Sequence, residues 1–384
     1  MTRVWMRWLP AVVVPLAIAS GALAGSALTG AAVTLPDKTP AQVLALASGS
    51  NVTALSGTLS ETSDLGLPQL PAGSVPDGSG AASALSMLTS PYTAQIYVDG
   101  PGSVRLQVLE QMNERDMVRH GNDLWYYDSA NNTAVHATVP TKGTAALPGT
   151  TNPRLPGTKT PDTLTPGTAA PGTPAGLAQE MLAAITPSTT VTVGTNVKVA
   201  GRGAYDLVLS PRSTGTLVQS VSIAVDAQTG LPLSVTILAN GQAKPAFQLA
   251  FTSLTLAAPS ASVFAFTPPA GAAVTQQALP TPSRLTGPLT PASPLKTLKV
   301  LPKVRLKAAP FTVVGAGWDA VIELPAGTVP ADVASSPLLS GTTTAVPGGR
   351  LLQTSLINVL FANNGRVYAG SVPSARLLAV ADGG

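Results

Sequence analysis

Apolar and polar residues alternate with period two along much of this chain, in short runs broken by turn residues. Val104, Leu106 and Val108 alternate with Arg105 and Gln107. Val221, Ile223 and Val225 alternate with Ser220, Ser222 and Ala224. Tyr205, Leu207 and Leu209 repeat the pattern, as do Leu233, Val235 and Ile237, then Phe247, Leu249 and Phe251. Successive side chains of a strand point to opposite faces, so each run is a strand with one buried face. Tyr92–Val98, Arg115–His120, Leu124–Asp128 and Thr133–Val139 read as further short strands, and Val52–Leu59 as an earlier one. The breaks fall at Asp99-Gly100-Pro101-Gly102, Gly121-Asn122, Asn131-Asn132, Gln228-Thr229-Gly230 and Asn240-Gly241. Asn-Gly is a strong hairpin signal, because both residues tolerate the positive φ of a tight two-residue turn. The strands therefore build an antiparallel sheet with one solvated face.

Helices are few. Thr39-Pro40 followed by Ala41–Ala47 reads as a short helix, with Thr39 as N-cap and Pro40 at its first position. Ala175–Ile185 is a second, and Ala81–Leu88 a helical turn closing the irregular stretch Gly66–Thr89. Thr141–Pro174 is a Thr/Pro/Gly/Ala tract too poor in large apolar residues to order itself, so a disordered insertion is expected there. Pro268–Ala309 reads as a linker with six cations from Arg284 to Lys307 and no acid. A last unit spans Phe311–Ala381, with strands near Trp318–Leu324, Leu351–Phe361 and Val367–Ser371 and a terminal helix over Pro373–Val380. The fold class expected is mainly β with short helices: a curved antiparallel sheet plus a small α+β C-terminal domain. The domain divisions are 1–36, 37–274 with the insertion at 141–174, a basic linker at 275–310, and 311–384.

At the N-terminus, Arg3 and Arg7 are the only charges before Asp37, and Ala11–Val33 is continuously uncharged and apolar-rich. A positive segment followed by an apolar one is the pattern of an exported chain. Ala22-Leu23-Ala24 before Gly25 fits a cleavage site, yet the run is also long enough to stay in a membrane as an uncleaved anchor. Both readings place the rest of the chain outside the cytoplasm.

Composition removes whole classes of chemistry. Among 384 residues there is no Cys, so thiol catalysis, Cys-ligated zinc and iron–sulfur clusters are excluded. With only His120 and His136, a multi-histidine metal site is nearly excluded, and no cofactor or metal is expected. A net charge of +4 is too weak a field for a nucleic-acid protein. No Gly-x-Ser-x-Gly elbow, Walker loop or dinucleotide glycine fingerprint is present. Ser293-Pro294-Leu295-Lys296 matches Ser-x-x-Lys, but in a Pro-rich linker rather than on a helix. His120 and Asp116 could pair beneath a serine nucleophile, against the simpler reading of His120 at a hairpin edge. Asp123 and Asp128 read as turn residues. The chain is read as non-enzymatic.

Three segments resemble the LolA-like superfamily of lipoprotein carriers. They are Val118-Arg119-His120-Gly121-Asn122-Asp123-Leu124-Trp125-Tyr126-Tyr127-Asp128, Tyr205-Asp206-Leu207-Val208-Leu209-Ser210-Pro211 and Phe264-Ala265-Phe266-Thr267-Pro268-Pro269-Ala270-Gly271. Their order and spacing also fit, over about 39–274. The two-unit layout is similar to the RseB (MucB) family, through Trp318–Leu324 and Val367–Pro373 followed by an apolar helix. The Thr/Pro insertion departs from both.

The resemblance implies a half-barrel whose concave face holds acyl chains or an apolar peptide segment. Residues expected to line such a cavity are Val104, Leu106, Val108, Trp125, Tyr127, Val221, Ile223, Val235, Ile237, Phe247 and Phe251. The period groups residues by face but leaves open whether that face is a ligand cavity or a dry core. Lys296, Lys299, Lys303, Arg305 and Lys307 are candidates for contact with anionic lipid or an acidic partner, or form a solvated spacer. The function expected is extracytoplasmic binding of a lipid, lipoprotein or similar apolar ligand. The alternative is an envelope regulator whose C-terminal domain docks an anti-sigma factor.

Overall fold

The computed structural model describes residues 33–67, 91–109, 113–138, 173–183, 188–278, 311–328 and 341–383. The expected leader or anchor, the Ala81–Leu88 turn, the body of the Thr/Pro insertion and the cationic linker lie outside these residues. No helix among the described residues is long and apolar enough to cross a membrane.

The chain opens with helix α1 (Pro40–Ser48). Thr39 caps it as the sequence suggests: its Oγ1 accepts from the Gln42 amide at 3.3 Å, and the Thr39 amide donates to Gln42 Oε1 at 2.8 Å. Strands β1 (Ala54–Ser63), β2 (Tyr92–Asp99), β3 (Ser103–Leu109), β4 (Glu114–His120), β5 (Asp123–Asp128) and β6 (Thr133–Thr138) follow. Helix α2 (Pro174–Ala183) leads into β7 (Thr189–Val193), β8 (Val197–Val199), β9 (Arg202–Pro211), β10 (Val218–Asp226), β11 (Pro232–Ala239), β12 (Phe247–Thr255) and β13 (Ala273–Ala278). These thirteen strands form one curved, unclosed sheet, running β13-β6-β5-β4-β3-β2-β1-β12-β11-β10-β9-β7, with β8 on β9.

Neighbours pair antiparallel, except that β13 runs parallel to β6. The linker expected from Pro268 onward thus contributes a strand. Its sequence, Ala-Val-Thr-Gln-Gln-Ala, has no apolar period to announce it. It is placed by backbone pairing at the sheet's edge and by the bond between Gln276 Oε1 and His136 Nδ1 at 2.8 Å.

Register shifts between Thr58 and Leu59, and at two places along β10, bend the strands and give the sheet its curvature. Gly57 makes the first possible: a Cβ there would stand 2.4 Å from the Ser253 carbonyl and 3.1 Å from the Phe251 ring. Gly230, at φ 73°, turns β10 into β11 directly beneath α1, where a Cβ would meet the Leu46 carbonyl at 2.0 Å. Only glycine combines that backbone angle with that approach.

The small unit has its own sheet. Strands β14 (Thr312–Val314), β15 (Val321–Leu324), β16 (Thr343–Val346), β17 (Gly349–Gln353), β18 (Asn358–Ala362) and β19 (Val367–Gly370) are ordered β14-β15-β19-β18-β17-β16. Helix α3 (Ser374–Ala381) seals it by burying Leu377 and Val380 against Val321, Leu351, Leu360 and Tyr368. Two sequence expectations change here. Trp318 lies in a 3-10 turn (Gly317–Asp319) ahead of β15, and the single run Leu351–Phe361 is two strands. Thr354 Oγ1 donates to the Ile357 carbonyl and accepts from the Ile357 amide, folding that run back on itself.

The small unit docks on the end of the large sheet. Trp318 Nε1 donates to Thr189 Oγ1 at 2.9 Å, Ser213 Oγ to Asp319 Oδ2 at 2.5 Å and the Leu217 amide to the Ser371 carbonyl at 2.7 Å. Ser355 donates through its amide and hydroxyl to the carbonyls of Leu65 and Asp64. Leu356 is buried in the large sheet's core.

Candidate functional site

Residues directly opposed across an antiparallel ladder share a face. One row runs Gly57, Ile96, Leu106, Met117, Tyr126 and Val135, and its neighbour Leu55, Val98, Val104, Arg119, Leu124 and Ala137. Across β1 the same face continues through Leu249, Val235, Ile223 and Leu207. This is the helix side. Helix α1 packs on β7, β9 and β10, and α2 on β11 and β12.

The expected lining residues divide into three sets. Val108, Val221, Ile223, Val235 and Phe251 are at most 1% exposed, and Leu106 is buried too. Val104, Ile237 and Phe247 are half-buried on the same face. Trp125 and Tyr127 are not with them. Their ladder partners are Val118 and Arg105 for Trp125, and Asp116 and Gln107 for Tyr127, which puts both rings on the opposite side of the sheet. Leu124–Tyr127 is apolar at every position, so the period could not choose a face there.

On that outer side the chain covers its own aromatic cluster. The 3-10 turn Ala261–Phe264 packs against β3 and β4. Phe266 lies 5.5 Å from Trp125 and 6.1 Å from Tyr127, centroid to centroid, while Trp125 stacks on His136 at 4.3 Å. Buried Phe264 stacks beside His120 at 6.5 Å. The segment Phe264-Ala265-Phe266 thus clamps the outside of β4–β6 and delivers β13 to the edge.

The residues the sequence reading missed are Met117, Leu124, Tyr126 and Val135. All four are half-buried on the helix side of β4–β6. Leu124 and Val135 belong to none of the three apolar clusters formed among the described residues. With Val104 they form an apolar surface beside, not beneath, the two helices. Such a surface can take up alkyl groups by excluding water, without any reacting group.

Several charged groups are held in pairs. Asp116 holds Arg105 in a two-point ion pair at 2.6 and 3.0 Å, so it is not a partner for His120. Burial raises the Asp116 pKa despite that pair. Burial also works to raise Asp226, but hydrogen bonds from Arg202 and Thr229 outweigh it and hold the carboxyl below its usual range. Asp206 is pushed up to about 6 by burial, against a hydrogen bond from Ser222. His136 has both ring nitrogens engaged, by Asp123 Oδ1 and Gln276 Oε1, each at 2.8 Å. Among the described residues no three His, Asp or Glu side chains gather as a metal requires. On the outer face a shallow polar groove of about 220 Å³ is lined by Ser56, Thr58, Gln95, Tyr97, Ser253 and Thr255. Tyr97 donates to Gln95 and Ser253 to Thr58 within it.

No protein-family model matches the chain. No curated protein matches it. Solved structures similar to it include the MucA/MucB complex of Pseudomonas aeruginosa, at 19% identity over 89% of this chain and 96% of that one, with a TM-score of 0.41. A LolA superfamily protein from Nitrosomonas europaea is similar at 12% identity over 60% of this chain and 99% of that one, TM-score 0.21. A putative outer membrane lipoprotein-sorting protein domain from Vibrio parahaemolyticus is similar at 10% identity over 56% and 90%, TM-score 0.21. At these identities and scores none of them says what this chain binds.

Proposed function

We propose that this chain is an extracytoplasmic binding protein that holds an apolar ligand, a lipid or the acyl chain of a lipoprotein, on the helix side of its large sheet. The observation that carries the reading is the half-buried apolar surface of Val104, Met117, Leu124, Tyr126 and Val135. Binding needs no covalent step. Each methylene removed from water contributes about 0.8 kcal/mol, so one acyl chain supplies useful affinity. The export-type N-terminus and the LolA-like segments support the same reading. The site differs from the one read from sequence: Trp125 and Tyr127 leave it, and Met117, Leu124, Tyr126 and Val135 enter.

The test is native mass spectrometry of protein purified from the cell envelope, with a fluorescent acyl probe as a second readout. An acyl adduct and saturable probe binding are expected, both lost in the double variant Leu124→Asp, Val135→Asp. Protein that carries no adduct and binds no probe overturns the reading. Recovery in the cytoplasmic fraction would overturn the location. The mass of the N-terminus distinguishes cleavage near Ala24 from a retained anchor.

A second reading is regulatory, favoured by the separate core of the small unit. Phe311–Gly384 would dock an extracytoplasmic regulatory protein such as an anti-sigma factor. Removing 311–384 is expected to abolish partner capture and leave acyl-probe binding in place; unchanged capture sinks it. The cations Lys296, Lys299, Lys303, Arg305 and Lys307 would add contact with an anionic membrane surface. Their replacement by Gln is expected to weaken sedimentation with anionic vesicles only.

A further inference from the structure

Four carboxylates are buried among the described residues: Glu61, Asp116, Asp128 and Asp226. Asp116 and Asp226 each pair with an arginine. Asp128 accepts from the Ala130 amide and from Asn131 Nδ2. Glu61 differs. It is 1% exposed, and neither of its oxygens has a hydrogen-bond partner.

Its place in the sheet is central. Glu61 lies on β1, opposed by Tyr92 on β2 and by Leu249 on β12. Along that row the helix-side face reads Leu207, Ile223, Val235, Leu249, then Glu61. Leu59 and Phe251 form the adjacent pair. The carboxyl therefore interrupts an otherwise apolar row where the two halves of the sheet meet.

Among the described residues no charge answers it. From β2 the facing titratable group is Tyr92. From β12 the same face carries Phe247, Leu249 and Phe251. From β1 itself the next polar group is Ser63, whose hydroxyl is also buried without a partner. Helix α1 contains no ionisable residue, and the described side chains of α2, Pro174–Ala178, carry no charge. Arg115 shares the face but lies beyond β2 and β3.

An unpaired carboxylate in an apolar interior is costly enough that the group takes up a proton instead. We propose that Glu61 is a proton-operated switch in the core of the large sheet. With its proton on, the packed face stays closed; losing the proton puts a lone charge there and drives the central strands to admit water.

The titration fits this placement. Burial pushes the Glu61 carboxyl from 4.5 up to about 7, against a weaker opposing pull from Ser63. Burial, then the Glu61 charge, pushes the Tyr92 hydroxyl up to about 12, so Tyr92 stays neutral throughout. Between pH 4.5 and about 7 the folded chain binds a proton that the unfolded chain has lost. Stability from this group is therefore complete below 4.5, falls as pH rises toward 7, and levels off above.

The experiment compares denaturant unfolding of the full chain with Glu61→Gln and Glu61→Leu from pH 4.5 to 8.5. The difference between wild type and variant isolates Glu61 from other titrating groups. The folding constant of wild type is expected to fall relative to either variant by up to about tenfold per pH unit across the window, then run parallel. Hydrogen exchange along β1 and β12, corrected for the intrinsic rate, should quicken from pH 5 to 8 in wild type and stay level in the variants. Parallel unfolding profiles overturn the proposal. If neither variant folds, corrected exchange in wild-type β1 and β12 that does not change with pH overturns it alone.

Discussion

Beneath α1 and α2 the large sheet presents Leu207, Ile223, Val235 and Phe251, none more than 0% exposed. Across β1, over β4–β6, the same face presents Met117, Leu124, Tyr126 and Val135, all half-buried. The two regions share a ladder, a face and a similar proportion of apolar residues. Among the described residues they differ in what lies on top. Helices pack on β7 and β9–β12, and α2 brings Ala175 and Leu177 into the central cluster. The lesson is that, among the described residues, a one-sided strand pattern is fully buried only where a helix packs on it and is half-buried elsewhere.

Truncation should separate the regions most sharply. Phe251→Ala, in the covered half, is expected to cost about 3–5 kcal/mol in denaturant unfolding, because the lost contacts and the cavity add. Asp226→Ala, on β10, should cost about 1–2 kcal/mol by removing the acceptor that Arg202 and Thr229 share, with the partly exposed guanidinium keeping Gln228. Its pH signature runs opposite to that of Glu61. The Asp226 pKa is held low by Arg202 and Thr229, so its contribution is present above the ordinary carboxylate range and lost as pH falls below it. Wild type should therefore approach the variant's stability on acidification, a trend that unfolding at pH 2–5 will read.

In the open half, Leu124→Ala should cost about 1 kcal/mol or less yet lower acyl-probe affinity severalfold. A cost equal to that of Phe251→Ala would show that the surface is core after all and end the distinction. The narrowest effect expected is that of Thr39→Ala, confined to stability at about 0.5–1 kcal/mol through loss of the cap on α1. Thermal unfolding will measure it, with probe affinity unchanged because α1 covers the other half.

Much of the strand order was legible. The alternation at Val104–Val108 groups residues by face, as does that at Val221–Val225, although Ala224 on the expected wet face is buried too, and Asn240-Gly241 marks a turn between paired strands. The N-cap of α1 was readable from Thr39-Pro40, since capping is local chemistry. The site was less legible. Leu124–Tyr127 carries no period, so its parity came only from its pairing with β4. Strand β13 was hidden because an edge strand held by backbone bonds needs no apolar side chains. Glu61 sits in a run of Ser, Thr and Leu that reads as an ordinary half-exposed strand. Nothing in that run tells which neighbours will surround its carboxyl.

The amino-acid order by itself determined the mainly β class, the short capped helix, most of the turns and the absence of thiol chemistry. These follow from local geometry and composition, which act over a few residues. Only the tertiary structure decided which half of the sheet the two helices cover, which side Trp125 and Tyr127 take, and that Glu61 is buried without a partner. Each of these depends on contacts between strands distant in sequence. Side-chain period groups residues by face, but only packing decides whether that face is filled.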